Sequence, residues 1–285
     1  MIVGHKKIIR RLSREAARGC ADGSYIFSGP EKVRKRTVAL DFAGKILKEK
    51  EAEKNSNFFS LRSGEEGGEI KIEETREFLR AMSFTGLGNG RRVFLIDGAD
   101  NLNRQSQNAL LKRLEEPRKG NVIILVVKDE KNILPTIASR CRRIRFSLVG
   151  NEEMEEILKI YPEDRKFLEF WSFGRPGRAI ELAENKEKRE SVREEFLEFK
   201  SLLGSDFGEK SRLADKISRD KEALEKRLEV WLIILRNSLL LEKNPVRLSP
   251  KKSFRLLEKM EETLTVLRNT HSNQRLLLEN LFLEF

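Results

Sequence analysis

The rhythm of hydrophobic and polar positions changes partway along the chain. Up to about residue 147, short continuous apolar runs stand at 25–28, 58–61, 93–96, 122–127 and 144–146. Segments of helical length and mixed polarity lie among them, at 8–18, 37–50, 72–82 and 104–115. Strand-length runs without polar alternation are buried on both faces. Interleaved with helices, they predict a parallel sheet covered on both sides. The helix after Asn103 is predicted to stop ahead of Pro117, because the residue before a proline disfavours helix.

Beyond residue 148 the strand signal is gone. Residues 152–160, 165–173 and 178–185 read as short helices, with Gly174, Pro176 and Gly177 punctuating the last two. Long amphipathic helices follow from about 189. Leu224, Leu228, Leu232, Leu235 and Leu239 recur at helical spacing, and so do Leu256, Met260, Leu264 and Leu267. Each set implies one buried stripe, and 244–250 breaks the two apart. The expected fold class is α/β plus all-α: a parallel-sheet domain over 1–147, a small helical domain over 148–188 and a helical domain over 189–285. No internal repeat or low-complexity segment interrupts this plan.

Length and composition agree with it. A chain of 285 residues with 39% hydrophobic content suits two or three globular domains and argues against disorder. The longest apolar stretch, 230–241, is broken by Arg236, Asn237 and Ser238, so no membrane span is expected. The segment from Met1 to Leu12 is basic but lacks a signal-peptide apolar core. A soluble cytoplasmic protein is the expectation. The two cysteines, Cys20 and Cys141, cannot build a disulfide framework or a four-cysteine zinc site. Each reads as a small buried apolar residue. Charged content of 36% with four Met would suit a thermophilic source.

The charge is unevenly placed. Residues 1–150 carry 31 Lys+Arg against 19 Asp+Glu, a balance of +12, while 151–285 carry 26 against 27, a balance of −1. Either a polyanion-facing domain is joined to a protein-facing one, or the basic half is simply solvated surface.

Candidate chemistry begins where the first apolar run ends. A working phosphate loop reads G-x-x-x-x-G-K-[ST]: its backbone N–H groups cradle phosphates, its Lys reaches them and its hydroxyl holds Mg²⁺. Here the run 25–28 enters Gly29, Pro30, Glu31, Lys32, Val33, Arg34, Lys35, Arg36 and Thr37. Gly29, Pro30 and Lys35 are in place. Arg34 replaces the glycine before the lysine, where its side chain would obstruct the turn. Arg36 replaces the hydroxyl, Lys32 stands where many such loops have another glycine, and Thr37 comes one position late. The segment is either a degenerate phosphate loop or a basic turn open to a phosphate, DNA or a protein partner.

The run 93–96 leads into Asp97, Gly98, Ala99 and Asp100. In a nucleotide motor the first carboxylate organises Mg²⁺ and the next residue, usually Glu, polarises the attacking water. Asp97 is present; Gly98 cannot polarise anything. Asp97 is left as a remnant of that site or as a turn or capping acid.

Together these segments resemble the AAA+ proteins of the bacterial clamp-loader family, above all their delta-prime type in the DNA polymerase III clamp loader. The opening segment from Met1 to Ile9, the Gly29-Pro30…Lys35 remnant and Asp97-Gly98-Ala99-Asp100 carry the resemblance. So do the segment from Asn108 to Pro117, including Glu115 and Glu116, and Ser139-Arg140-Cys141, the most specific motif. Gly174-Arg175-Pro176-Gly177-Arg178-Ala179 resembles the segment that carries the sensor-2 arginine in motor subunits. By this alignment Gly177 stands at that arginine's position, with Arg178 beside it, and Lys128 stands at the small polar sensor position after the fourth strand.

The resemblance implies an AAA+ domain, a helical lid and a helical collar that joins a five-subunit ring. It also implies a role in opening a sliding clamp and placing it on primed DNA, with motor subunits and a delta subunit as ring partners. Residues 48–60 contain no Cys, so the zinc module of many relatives is not expected. No cofactor and no ATP hydrolysis by this chain are expected, and so no ATPase or polymerase activity of its own. From the residues alone Arg140 reads as a surface arginine beside Arg142, Arg143 and Arg145; in the family the Ser-Arg-Cys arginine serves the adjacent motor subunit, and the resemblance therefore implies that Arg140 is an arginine finger in trans. Two other functions stay open, a weak AAA+ ATPase and a stand-alone basic DNA-binding protein. His5 and His271 lack neighbours for a metal or catalytic site and read as capping or surface residues. Trp171 and Trp231 read as core.

Overall fold

The computed structural model describes residues 3–62, 68, 70, 72–83, 90–115, 118–240, 246, 248–270 and 272–285. Met1, Ile2, Glu116, Pro117, Leu241, the stretch 241–245 and His271, all used in the sequence reading, lie outside the described residues. The chain divides into two compact units. One runs up to Ile160 and includes Gly174–Arg178; the other comprises Tyr161–Phe173 and Ala179–Phe285.

The first unit runs α1 (Lys6–Ala17), β1 (Gly23–Ser28), α2 (Lys35–Leu47), β2 (Phe58–Arg62), α3 (Ile72–Ser83), β3 (Arg92–Asp97), α4 (Arg104–Glu115), β4 (Asn121–Val127), α5 (Pro135–Ala138), β5 (Arg142–Arg145) and α6 (Asn151–Leu158). Five strands form one parallel sheet in the order β2-β3-β4-β1-β5. All of β4 is buried, as is β1 from Ser24 on, which is why these strands read as unbroken apolar runs. One face packs Phe27, Phe42, Leu95 and Ile124 with α1 and α2. The other packs Ile26, Phe94, Leu110 and Leu125 with α3 and α4. At about 25 cal/mol per Å² of apolar surface, these two cores are the main source of the unit's stability.

Some boundaries differ from the pattern and others agree with it. Helix α2 starts at Lys35 rather than 37, because Arg34 takes a left-handed N-cap conformation. Strand β5 is Arg142–Arg145 rather than 144–146: only Ile144 faces the core, so its charged neighbours hide the strand. Phe146 lies just past β5 and donates its N–H to the Ser28 carbonyl at 2.7 Å. Helix α4 ends at Glu115, after an N-cap in which the Asn103 side chain accepts the Ser106 N–H at 2.8 Å.

Seven further helices follow: α7 (Arg165–Ser172), α8 (Pro176–Glu184, starting ahead of the expected 178), α9 (Lys186–Leu202), α10 (Phe207–Ile217), α11 (Lys221–Leu240), α12 (Pro250–Asn269) and α13 (Gln274–Phe282). Leu224, Leu228, Leu232 and Leu235 are buried on α11, and Leu256, Met260, Leu264 and Leu267 on α12. Trp171 and Trp231 are buried, the latter against Phe199, Phe282 and Phe285. Among the described residues no helix is long and apolar enough to cross a membrane.

Candidate functional site

The loop leaves the carboxyl end of β1 at Gly29 and enters α2 at Lys35. Gly29 has φ +140°, and a Cβ there would lie 2.0 Å from the Phe146 carbonyl oxygen. Only glycine fits. Two other loop residues hold left-handed backbone without being glycine, Lys32 at φ 61° and Arg34 at φ 70°. The expected obstruction by Arg34 is therefore corrected: the turn forms, and the substitution appears as backbone strain of about 1–2 kcal/mol.

Protein groups hold this shape. The Gly177 N–H donates to the Lys32 carbonyl at 2.8 Å, and a Cβ at 177 would come within 2.7 Å of that oxygen. The position aligned with the sensor-2 arginine is thus packed directly on the loop. Arg178 lies in the first turn of α8, its N–H bonded to the Arg175 carbonyl at 3.0 Å. His5 Nε2 lies 3.0 Å from the Val33 carbonyl. A carbonyl can only accept, so this nitrogen carries the proton. The residue is 8% exposed, and its ring packs edge-on against Phe146. His5 occupies the N-cap position of α1, but its side chain makes no capping bond. The capping or surface role is replaced by a buried contact to the loop.

Lys35 is 7% exposed. Its ammonium donates to the Pro30 carbonyl at 2.7 Å and to the Gly29 carbonyl. Burial pulls its pKa down to about 8. The lysine that reaches phosphate in a working loop is here bonded to the loop itself.

The acidic turn is equally engaged. Asp97 Oδ2 lies 3.3 Å from Arg36 Nε and 3.6 Å from Arg62 Nε. Burial raises the Asp97 pKa, and the two guanidinium groups oppose that shift. Arg36 also donates to Glu53 at 2.8 Å. Gly98 sits at φ 80° with its N–H on the Val126 carbonyl at 3.0 Å, a conformation a glutamate would adopt only under strain. Asp100 ties this turn to the loop after β4: its Oδ2 accepts the backbone N–H groups of Lys128 at 2.8 Å and Asp129 at 3.3 Å. The Lys128 ammonium lies 3.4 Å from Glu31 on the loop.

In a working site Mg²⁺ is held by the hydroxyl after the lysine and by the acidic residue ending the neighbouring strand. These donors do not fit that ion. A guanidinium stands at the hydroxyl position, and the carboxylate faces two arginines.

Arg140 belongs to a different part of the sheet. It precedes β5, which starts level with Tyr25, whereas the loop leaves β1 after Ser28, level with Arg145. Roughly 10 Å of strand separates the two ends at the usual rise per residue. Arg140 is exposed. Its Nη2 lies 3.0 Å from Glu115 Oε1, and its Nη1 donates to the Thr136 carbonyl at 3.0 Å. Ser139 Oγ donates to the same carbonyl at 3.0 Å. Cys141 is buried, and burial pushes its thiol pKa up to about 12, so it anchors the turn rather than reacting. Cys20, expected to be buried, is exposed in the turn after α1.

Sequence reasoning missed Arg62, Glu53, Glu31, Glu115 as a partner of Arg140, and the buried contact of His5. Arg62 had one available signal: it pairs in register with Asp97 across β2 and β3, which requires knowing that those strands are neighbours.

A parallel sheet with the phosphate-loop position after its β1 strand and an acidic turn after the β3 strand defines an AAA+ type domain, here with its loop closed by protein groups. Residues 4–149, about half of the chain, match the family described as DNA polymerase III, delta subunit. The chain belongs to that family, within the clamp-loader group. It is 29% identical over 158 residues to the DNA polymerase III subunit delta' of Pseudomonas aeruginosa, covering 50% of this chain and 48% of that one. It is 30% identical over 174 residues to the DNA polymerase III subunit gamma of Buchnera aphidicola, covering 55% and 47%. The chain spans about half the length or less of these curated relatives. A solved DNA polymerase III gamma subunit-related protein of Thermotoga maritima aligns over 96% of this chain and 97% of that one, with a TM-score of 0.52 and 21% identity, a likeness of fold.

Proposed function

We propose that this chain is a non-hydrolysing subunit of a clamp loader in bacterial DNA replication, a fixed ring member that lends Arg140 to the nucleotide of an adjacent ATPase subunit. One contrast carries this reading: the loop's lysine and the carboxylate of its acidic turn are engaged within the chain, while Arg140 is exposed at the opposite end of the β1–β5 pair. An arginine finger needs a permanent planar cation at the end of a rigid element. The buried Cys141 and the start of β5 supply the rigidity. Its bridge to the exposed Glu115 contributes roughly 0–1 kcal/mol, so releasing Arg140 to a neighbour's phosphate is inexpensive.

On this reading the partners are motor subunits and a delta subunit in a hetero-pentameric ring. The sliding clamp and primed DNA are met through the complex, in the cytoplasm, and the chain needs no zinc and no nucleotide of its own. The test is reconstitution: the chain should co-purify stoichiometrically with motor subunits and raise their DNA-stimulated ATP turnover. Turnover by the isolated chain, or no complex, contradicts the proposal.

A further inference from the structure

The pairing at Asp97 deepens the non-hydrolysing half of the proposed function and does not involve the ring. Position 36 follows the loop lysine, where a working site has the hydroxyl that holds Mg²⁺. Its side chain instead reaches the carboxylate that would be the ion's other protein ligand, Nε to Oδ2 at 3.3 Å. Arg62 approaches the same oxygen at 3.6 Å from the end of β2. Arg36 is also fixed from its other side, because Nη2 donates to Glu53 at 2.8 Å. A guanidinium keeps its charge at all physiological pH values and, unlike a bound ion, cannot be exchanged.

We propose that Arg36 is a built-in cation that takes the place of the metal ion and keeps the vestigial phosphate loop closed against metal-nucleotide. The loop's working form is then its ligand-free form. Lys35 on the Pro30 carbonyl, Gly177 on the Lys32 carbonyl and His5 on the Val33 carbonyl do for the turn what phosphate does in an active relative. Arg36 becomes the residue that decides specificity. Restoring glycine at 32 or 34 relieves strain but leaves the metal position filled, and a divalent ion at Asp97 would have to displace two guanidinium groups.

Melting of the full-length isolated chain tests this. The wild type should melt at the same temperature in EDTA and in millimolar Mn²⁺ with ATP. Arg36→Met and Asp97→Asn should each lower Tm by about 2–4 °C, a shift typical of losing one partly buried interaction in a protein of this size. The double variant should fall by less than the sum of the two single losses, because both substitutions break the shared Arg36–Asp97 pair. Arg36→Lys, which keeps the charge, should lose less than Arg36→Met. A rise in wild-type Tm with Mn²⁺ and ATP would overturn the proposal, as would fully additive losses. Should Arg36→Met fail to fold, the wild-type Mn²⁺ arm decides alone. No outcome depends on Arg140 or on ring assembly, so failure here is distinct from failure of the ring role.

Discussion

The loop at 29–37 and the turn at 139–141 are both basic, and both lie in the region that matches one family, yet they are built in opposite ways. Lys35 is buried and bonded to its own loop, and Arg36 is tied to Asp97 and Glu53. Arg140 is exposed, and its carboxylate partner Glu115 is more exposed still. Buried, bonded charges shape a fold; exposed ones held only by exposed partners remain available to a neighbour. The difference indicates which basic motif has become scaffold and which still faces outward.

Substitutions should separate the two regions by the size of their effect on stability. The largest loss is expected for Gly29→Ala. Its Cβ would meet the Phe146 carbonyl at 2.0 Å, so β1 and the segment after β5 must part. Urea denaturation should show a loss of about 3 kcal/mol or more. A loss below 1 kcal/mol, on the order of an ordinary surface change, would mean the loop is not closed on this strand.

The next effect is a pH dependence. The folded pKa of Lys35 is about 8, against an ordinary 10.5. Between those values the unfolded chain holds a proton that the folded chain has released, so this group adds stability as pH rises through the window and costs stability below it. The stability of the wild type relative to Lys35→Met should therefore shift in favour of the wild type by up to about 3 kcal/mol across that range. Taking the difference removes the opposing contributions of Tyr25 and Cys141, whose pKa values are raised to about 12. A flat difference would mean that the ammonium is solvated.

Smaller still, Arg34→Gly should raise stability by about 1 kcal/mol, because glycine accepts the φ of 70° without strain. Smallest is Arg140→Ala, expected within about 1 kcal/mol of the wild type, since it breaks an exposed ion pair and an exposed hydrogen bond to the Thr136 carbonyl. A large loss there would make Arg140 part of the scaffold and erase the contrast.

Much of this is legible in the sequence. The apolar runs at 93–96 and 122–127 lie inside fully or almost fully buried strands, so composition alone marks them. Lys35, Asp97 and Gly98 could be placed because strand–loop–helix order fixes where a phosphate loop and its acidic turn fall. Strand β5 was displaced in the reading because an edge strand carrying Arg142, Arg143 and Arg145 has no apolar alternation to follow. The partners of Asp97 were hidden for another reason: Arg62 and Arg36 come from separate elements and meet only once β2 lies beside β3. Cys20 was misplaced because residue type predicts burial on average, whereas the turn after α1 decides it locally.

The most direct test puts both regions into one assay. ATP turnover should be measured in a complex reconstituted with motor subunits, clamp and primed DNA, using wild type, Lys35→Met and Arg140→Ala. The account predicts that Lys35→Met leaves turnover unchanged, while Arg140→Ala still assembles but slows hydrolysis at the adjoining site by on the order of 10³-fold or more. Unchanged turnover with Arg140→Ala, or a collapse with Lys35→Met in an intact complex, would contradict it.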